Sequence, residues 1–256
     1  MLEETIKNGS DVNDPTGTAV VLTNGKFTET DSKTAHGLIR GSERFDVLAV
    51  IDWKHAGRDA GELLDGIHRN IPVFAHFDEF MAANTIKPAY AIVGVAISGG
   101  KIDESLQKIL MEILNQGVSI VNGLHMLLGD LPNFARTAES NGANIIDIRR
   151  PKPFSQLNHW SGRIFEMKIP RLSVLGTDCA IGKRTTCRML MEVCRSAGIE
   201  TEMIYTGQTG WLQGNRYGFM LDATLNDFVC GELEATIIEC EQNSSPDLIL
   251  IEGQSG

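Results

Sequence analysis

The stretch VLGTDCAIGKRTT, residues 174–186, has the spacing of a phosphate-binding loop. An apolar run ends at Gly176, and after a short loop the pair Gly182 and Lys183 opens a predicted helix. In such loops the backbone N–H groups and the helix N-terminus face the anion, and the lysine reaches the outer phosphate. The loop therefore predicts a site for the phosphates of a cofactor. The predicted contacts are Gly176, Thr177, Asp178, Cys179, Ala180, Ile181, Gly182, Lys183, Arg184, Thr185 and Thr186.

This loop departs from the common pattern G-x-x-x-x-G-K-[ST] at two positions. Thr177 stands at the first-glycine position, and Arg184 stands where the magnesium-binding hydroxyl normally follows the lysine. The next hydroxyls belong to Thr185 and Thr186, and one step along a helix turns a side chain by about 100°. The loop therefore favours holding a phosphate-bearing cofactor over splitting one with the help of magnesium.

Three further candidates for chemistry follow the ends of predicted strands. Glu252 ends the strand DLILIEG (247–253), and parallel sheets build their sites at the carboxyl ends of strands. Gln208 lies in YTGQTGWLQG (205–214), which we interpret as a loop after a strand and assign to cofactor binding. His125 lies in NGLHMLL, and its imidazole is a candidate for ligand contact.

The elements that must position these residues alternate between short β-branched runs and helical periodicity. This alternation predicts an α/β fold with parallel sheets. The predicted strands cover 19–25, 45–52, 72–77, 89–96, 119–124, 144–150, 171–176, 200–207 and 247–253. The predicted helices cover 32–41, 57–67, 103–117, 131–142, 183–197 and 222–241.

A break in this alternation divides the chain into two domains. Residues 149–165 contain two prolines and four basic residues. We predict a first domain over residues 1–150, a crossing segment over 151–170 and a P-loop domain, resembling nucleotide-binding domains, over 171–256. A parallel sheet of this type needs more strands than the second domain contains. We therefore expect that domain to be incomplete and the natural protein to be longer.

Composition restricts the classes of partner. The chain of 256 residues has a formal net charge of −10 and a pI near 5.1, which argues against nucleic-acid and anionic-membrane partners because both need a basic face. No apolar stretch approaches the ~20 residues of a membrane span, and the polar residues at the N-terminus predict no signal peptide. The five cysteines form no C-x-x-C pair and have no zinc spacing, which indicates free thiols in a reducing cytoplasm.

Eight stretches along the chain together resemble one family. They are KTAHGLIRGSERFDVLAVID, GVAISGGKI, NGLHMLL, IIDIRRP, GTDCAIGKRTT, TGQTGW, DATLNDFVCGELE and IEGQSG. This set resembles the D-glutamate N-acetyltransferase (DgcN-like) family, formerly catalogued as a domain of unknown function, which combines an N-terminal Rossmann-like domain with a C-terminal P-loop domain. The loop is also similar to that of dethiobiotin synthetase, which has the same extra residue between its glycines and a later strand ending in an acidic residue.

The resemblance implies acetyl transfer from acetyl-CoA to the amine of an acidic amino acid, D-glutamate. Glu252, His125 and Lys183 are then the candidate catalytic residues, and the sequence does not decide whether Glu252 or His125 takes the proton of the amine. The substrate carboxylates need cations, for which Arg40, Arg58 and Arg188 are candidates beside the loop arginine. The expected protein is a cytoplasmic homo-oligomer.

Three alternatives remain open at this point. The first is an ATP-dependent ligase or kinase of the dethiobiotin-synthetase type, with Mg²⁺ held by Thr185, Asp178 and Glu252. The second is a nucleotide-binding protein without catalysis. The third is a Rossmann oxidoreductase, against which the missing G-x-G-x-x-G after the first strand argues, so that Asp52 is a weak candidate for the ribose anchor of NAD.

Overall fold

The computed structural model describes residues 15–97, 102–178 and 181–254, which form two parallel β-sheets with helices packed against them. The predicted α/β class is thereby confirmed. Cys179 and Ala180 of the predicted phosphate loop lie outside the described residues. Within the described ranges, no helix has the length and apolar character needed to cross a membrane.

The first sheet has six parallel strands in the order β3-β2-β1-β4-β5-β6. The order reverses between β1 and β4, and in such sheets ligands bind next to that point, at the carboxyl ends of the strands. Helices cover the sheet, so its strands are short apolar runs. They are β1 (Gly17–Leu22), β2 (Phe45–Ile51), β3 (Val73–Phe74), β4 (Tyr90–Val93), β5 (Ser119–Asn122) and β6 (Ile145–Asp147).

The helices of the first domain pack their apolar faces onto this sheet, as helix α4 (Glu104–Asn115) illustrates. Asp103 caps its start by accepting a hydrogen bond from the N–H of Leu106 at 2.8 Å. Leu106, Leu110, Ile113 and Leu114 recur at helical spacing and are fully buried, each contributing about 1.5–3 kcal/mol. The helices are α1 (Lys33–Ile39), α2 (Ala60–Asp65), α3 (Phe77–Ala83), α4 (Glu104–Asn115) and α5 (Pro132–Ser140).

The second sheet has four parallel strands in the order β7-β10-β8-β9. The strand before the phosphate loop, β7, pairs with β10, which ends in Glu252. This pairing brings the predicted loop and the predicted acidic strand end to the same edge. The elements are β7 (Arg171–Val174), α6 (Lys183–Ser196), β8 (Thr201–Tyr205), α7 (Gln208–Leu212), β9 (Tyr217–Gly218), α8 (Val229–Ser244) and β10 (Leu248–Glu252).

Several short elements differ from the sequence predictions. The interpretation of 205–214 as a loop is wrong for α7, a helix of five residues that is too short to show helical periodicity. Helix α3 and strand β9 are likewise not predicted. The helix predicted over 222–241 begins only at Val229, after two single 3-10 turns.

Two buried carboxylates of α8 anchor the crossing segment between the sheets. Glu232 is 1% exposed and accepts hydrogen bonds from Lys152 Nζ at 2.6 Å and from the backbone N–H of Asn158 at 2.7 Å. Glu234 accepts from the backbone and hydroxyl of Ser161 at 2.6 and 2.9 Å and from the N–H of Ile164 at 3.1 Å. Hydrogen bonds from residues 152–164 to these two carboxylates therefore hold the crossing segment against the second domain.

Replacing Glu232 by Gln tests how much its hydrogen bonds to the crossing segment stabilise the fold. Burial alone would raise the pKa of Glu232, but the Lys152 ammonium and the Asn158 N–H groups outweigh it and hold the pKa below its usual value. A lowered pKa in the folded state stabilises the protein above the ordinary pKa, and this stabilisation is lost as the pH falls. We expect Glu232→Gln to lower the free energy of unfolding by about 2 kcal/mol at neutral pH, and by less in acid.

The measurement is urea unfolding at two pH values, with Glu239→Gln as the control. Glu239 lies on the same helix and is exposed, so its replacement should change little. Equal stability of the two variants at neutral pH would contradict the assigned role of Glu232.

The two domains are joined by α7, which packs against α1. Leu212 is fully buried within the apolar core of the first domain. The side-chain amide of Gln213 donates to the carbonyl of Gly37 at 2.7 Å, and Arg44 Nε donates to the carbonyl of Trp211 at 2.9 Å. These contacts set the relative position of the two sheets.

Gly37 is required at this joint because there is no room for a side chain. A Cβ on Gly37 would lie 2.5 Å from Cγ2 of Thr209 and 3.0 Å from Nη2 of Arg184. We expect Gly37→Ala to destabilise the protein by about 1–3 kcal/mol, although alanine favours a helix. Thermal unfolding checks this, and adding Thr209→Ser should restore stability because serine lacks Cγ2; failure of that rescue would contradict the clash.

Candidate functional site

A cavity of about 670 Å³ opens between the carboxyl edges of the two sheets. Loops after β1, β4, β5 and β6 line one side, and the other side consists of the start of α6 and the loops after β8 and β10. The cavity therefore lies beside the strand-order reversal of the first sheet, where this fold binds ligands.

The charges around this cavity oppose the charge of the whole chain. Its described lining contains five cationic side chains, Lys33, Arg40, Arg149, Lys183 and Arg184, against three acidic ones, Glu29, Asp222 and Glu252. The chain as a whole has a net charge of −10. A local cationic excess in an acidic protein indicates a site for an anionic ligand.

The phosphate loop has the expected strand–loop–helix arrangement. Gly182 has φ 96°, a conformation that favours glycine, and α6 begins at the next residue. Lys183 Nζ donates to the carbonyl of Asp178 at 2.7 Å, so the lysine folds over the loop. Residues 182–185 line the cavity, whereas the other described loop positions are exposed outside it; these are Gly176, Thr177, Asp178, Ile181 and Thr186.

Glu252 is the buried carboxylate of the cavity, 8% exposed. Its Oε2 accepts a hydrogen bond from the N–H of Thr206 at 3.3 Å. Burial raises the pKa of Glu252, and the Arg184 guanidinium, the Thr206 N–H and Lys183 oppose that rise only in part. Burial also lowers the pKa of Arg184, against the attraction of Glu252. A carboxylate whose pKa is raised in this way is a stronger proton acceptor than an exposed one.

Arg149, two residues after the end of β6, forms a second cluster across the cavity. Its side chain is 10% exposed and pairs with Asp222 of the second domain. One guanidinium nitrogen lies 2.8 Å from His125 Nε2, and the other donates to Gln208 Oε1 at 2.7 Å. The same Arg149 nitrogen that lies near Nε2 is 3.3 Å from His125 Nδ1, and because arginine can only donate, the imidazole accepts from it through one of its two nitrogens. His125 and Gln208 are thus brought together, and the lone pair of His125 is engaged.

Of the three arginines predicted to bind substrate, one is among the described lining residues of the cavity and two are not. Arg40 lines the cavity, with Nε 3.7 Å from Asp65. Arg188 donates to the carbonyl of Gly41 at 2.8 Å, and Arg58 is exposed in the turn after β2. Neither Arg188 nor Arg58 is among the described lining residues of the cavity.

The turn after β1, which binds the pyrophosphate of dinucleotides in Rossmann folds, is covered by the protein's own side chains. The Trp53 ring lies 2.6 Å from the position of a Cβ on Gly25. Asp52 is fully buried and accepts hydrogen bonds from Thr23 Oγ1 at 2.6 Å and from the N–H of Phe27 at 3.0 Å. Asp52 therefore organises the turn through these hydrogen bonds.

The residues that could hold magnesium are only partly brought together. Thr185 and Glu252 line the cavity, whereas Asp178 is exposed outside its lining. Within residues 15–97, 102–178 and 181–254, no group of three or more His, Cys, Asp or Glu side chains could hold a metal ion.

Sequence reasoning missed several lining residues, which are Thr28, Lys33, His36, Arg149, Asp222 and Gln254. Arg149 could have been predicted, because it is a basic residue near the carboxyl end of the predicted strand 144–150. Gln254 had a weaker signal in the sequence, its place in the glycine-bearing turn after β10. Its side-chain amide donates a hydrogen bond to Thr206 Oγ1 at 3.0 Å. Thr28 lies in a loop of the first domain, Lys33 and His36 lie on α1, and Asp222 lies in a 3-10 turn of the second domain. Only the fold places these residues at the cavity.

Both halves of the chain match models of one protein family. Residues 53–151 match its N-terminal Rossmann-like domain, DUF1611_N, and residues 158–256 match its C-terminal P-loop domain, DUF1611. A crystal structure of a DUF1611 family protein from Anabaena variabilis is 31% identical, with a TM-score of 0.84, over 93% of this chain and 66% of that one. The predicted combination of domains is thereby confirmed.

Two curated relatives are named for an enzymatic activity. Both are named D-glutamate N-acetyltransferase, one from Tritonibacter scottomollicae and one from a Pseudoalteromonas species. The first is 34% identical over 166 residues and the second 30% identical over 163 residues, in each case 64% of this chain. These matches cover 46% and 47% of the relatives, so this chain spans about half the length of each.

Proposed function

Because this chain belongs to the DUF1611 family, we propose that it is an N-acetyltransferase that moves an acetyl group from acetyl-CoA to the amine of an acidic amino acid, D-glutamate. The observation that carries this proposal is the cavity, in which a phosphate loop, an excess of cations and a buried carboxylate face one another. The names of the two curated relatives support the reaction type.

The phosphate loop fits the anionic part of acetyl-CoA. That molecule carries a diphosphate and a ribose phosphate, and it supplies the acetyl group as a thioester. Helix α6 has fourteen residues and begins at Lys183, so its N–H groups and its dipole face the cavity together with the lysine. Arg184 adds a second cation at the helix start, and Gly182 to Thr185 are the residues that would hold the phosphates.

The opposite wall fits an acceptor with two carboxylates. Arg40 and Lys33 lie on or beside α1, and Arg149 follows β6. Guanidinium groups bind carboxylates through paired hydrogen bonds, which favours a dicarboxylate over a neutral side chain. We assign substrate binding to Arg40 and Lys33. Both terminal nitrogens of Arg149 are already bonded within its own cluster, and Arg58 and Arg188 are not among the described lining residues.

Glu252 fits the role of general base better than His125. The amine of an amino acid is an ammonium at neutral pH and must lose a proton before it can attack the acetyl carbon. Glu252 has a raised pKa because it is buried, and it accepts that proton. The accepting nitrogen of His125 is already bonded to Arg149, which gives His125 a positioning role. The overall reaction forms the C–N bond of the product, breaks the C–S bond of the thioester and releases the thiol.

Thermal unfolding with three ligands distinguishes this reaction from the alternatives. A ligand at a hundred times its dissociation constant adds about 2.7 kcal/mol, which raises the melting temperature by several degrees. We expect acetyl-CoA to do this. Stabilisation by ATP with Mg²⁺ alone would favour a ligase or kinase, stabilisation by NAD alone would favour an oxidoreductase, and either result would contradict the proposal.

A further inference from the structure

Thr28, His55 and Asp52 form a hydrogen-bonded chain that ends at the cavity. His55 Nδ1 lies 2.7 Å from Asp52 Oδ1, and His55 Nε2 lies 3.2 Å from Thr28 Oγ1. Thr28 lines the same cavity as Glu252 and Lys183. The chain therefore runs from a buried carboxylate, through an imidazole, to a hydroxyl group at the candidate site.

The hydrogen bonds of this chain have a defined direction. An ionised carboxylate can only accept, so the bond between His55 and Asp52 requires the proton to be on Nδ1 of His55. In the neutral imidazole Nε2 is then the accepting nitrogen, and the hydroxyl of Thr28 donates to it. This is the arrangement by which a histidine activates a hydroxyl nucleophile while a carboxylate holds its tautomer.

The supporting groups of the chain are held rigidly. Asp52 is fully buried, and its Oδ1 also accepts from the backbone N–H groups of Lys54 and His55, each at 3.2 Å. The His55 side chain is 11% exposed and its ring meets the ring of Phe27 edge-on. Thr28 itself is exposed at the cavity, so its hydroxyl is accessible. An oriented base beside an accessible hydroxyl is the geometry that covalent catalysis needs.

We propose that Thr28 is a covalent acyl acceptor, activated by His55 and oriented by Asp52, which carries the acetyl group between donor and amine. The acyl donors that fit are thioesters and activated esters. The assignment of acetyl-CoA as the natural donor rests on the proposed function. The acylation of Thr28 itself requires only an acyl group with a good leaving group.

In the proposed relay, the acetyl group passes from the donor to Thr28 and then from Thr28 to the amine, in two steps. In the first, His55 Nε2 takes the proton of Thr28 Oγ1, the oxygen attacks the acyl carbon, the C–S bond breaks, and His55 returns the proton to the leaving thiolate. In the second, the amine, already deprotonated by Glu252, attacks the acetyl ester, the C–N bond forms and the C–O bond breaks. The remaining amine proton passes through His55 to Thr28 Oγ1, which restores the hydroxyl.

The experiment uses para-nitrophenyl acetate with the whole chain and without an amine. We expect a burst of nitrophenolate of one equivalent per chain, and one acetyl group located on Thr28 by peptide mass spectrometry. Thr28→Val should abolish the burst, Thr28→Ser should retain it, and His55→Gln should slow it by at least about a hundredfold. Thr137→Val, at a half-buried threonine on α5, is the matched control and should acylate as the unmodified chain does.

The outcomes separate this inference from the proposed function. Folding of each variant is verified by thermal unfolding. A burst in Thr28→Val equal to that of the unmodified chain, or acetyl groups found only on other residues, would overturn the inference. A burst on Thr28 in a protein that does not bind acetyl-CoA would support the relay while contradicting the assigned donor. Full acetyl transfer by Thr28→Val would overturn the relay and leave direct transfer.

Discussion

Replacing Glu252 by Gln is expected to lower the rate of acetyl transfer by about 10²–10⁴-fold. Glutamine has nearly the shape of glutamate and can still accept the hydrogen bond from the Thr206 N–H, but it cannot take a proton from the ammonium of the acceptor. The fold should tolerate the change, because the raised pKa of Glu252 means that burying its charge destabilises the folded state as the pH rises. Loss of activity with unchanged or higher stability at neutral pH is therefore the expected pair of results.

The measurement is the rate of thiol release from acetyl-CoA in the presence of D-glutamate. Glu192→Gln is the matched control, since Glu192 is exposed on α6. A rate for Glu252→Gln close to that of the control would show that another group takes the proton.

The pH dependence of the reaction rate tests the role of Glu252 as the general base in a second way. The base must be ionised, so the rate should rise with pH as Glu252 loses its proton, and this rise should occur above the range of an ordinary glutamate. The positive charge of Arg184 favours the ionised form, so Arg184→Gln should raise the pKa of Glu252 further. The acidic limb of the rate profile should then move to higher pH, and a move to lower pH would contradict this coupling.

Replacing Lys183 by Ala is expected to abolish the stabilisation of the protein by its phosphate-bearing ligand. The lysine lies at the start of α6, lines the cavity and contributes to its cationic excess. Without its charge the ligand loses a cation at the phosphates, and the shift of several degrees expected at a hundred times the dissociation constant should largely disappear. Thermal unfolding over a series of acetyl-CoA concentrations measures the effect.

Lys108→Ala is the control for this variant, because Lys108 is exposed on α4. It should retain the full response. If Lys183→Ala retained it as well, the loop would have a structural role only.

The phosphate loop was predictable because its signal is contiguous. The strand, the glycine and the Gly-Lys pair follow one another in the chain, and backbone geometry alone then fixes the loop before α6. The same holds for Glu252, since β10 pairs with β7 and strand ends in a parallel sheet meet at one edge. Which cofactor the loop binds stays a prediction.

The cluster around Arg149 could not be predicted, because its members come from separate segments. His125 follows β5, Arg149 follows β6, and Asp222 and Gln208 belong to the second domain. Their meeting depends on how the two sheets are positioned. Gly37 and Gln213 set that position through contacts between α1 and α7, and a helix as short as α7 leaves no periodicity in the sequence.

The sequence also does not show which of the candidate arginines face the cavity. Arg40 lies near the end of the predicted helix 32–41 and Arg188 lies within the predicted helix 183–197, and the sequence does not distinguish these two candidates. In the folded chain Arg188 Nη1 donates to the carbonyl of Gly41, whereas Arg40 lines the cavity. Composition and spacing identify candidates for binding an anion, and packing decides which of them face the cavity.

The most direct test of the central claim is the fate of acetyl-CoA when the protein, acetyl-CoA and D-glutamate are mixed. The proposed reaction predicts equal amounts of free thiol and N-acetylglutamate, with no product when either substrate is left out and about 10²–10⁴-fold slower formation of both with Glu252→Gln. Absence of both products, with acetyl-CoA and D-glutamate present and the protein folded, would contradict the claim.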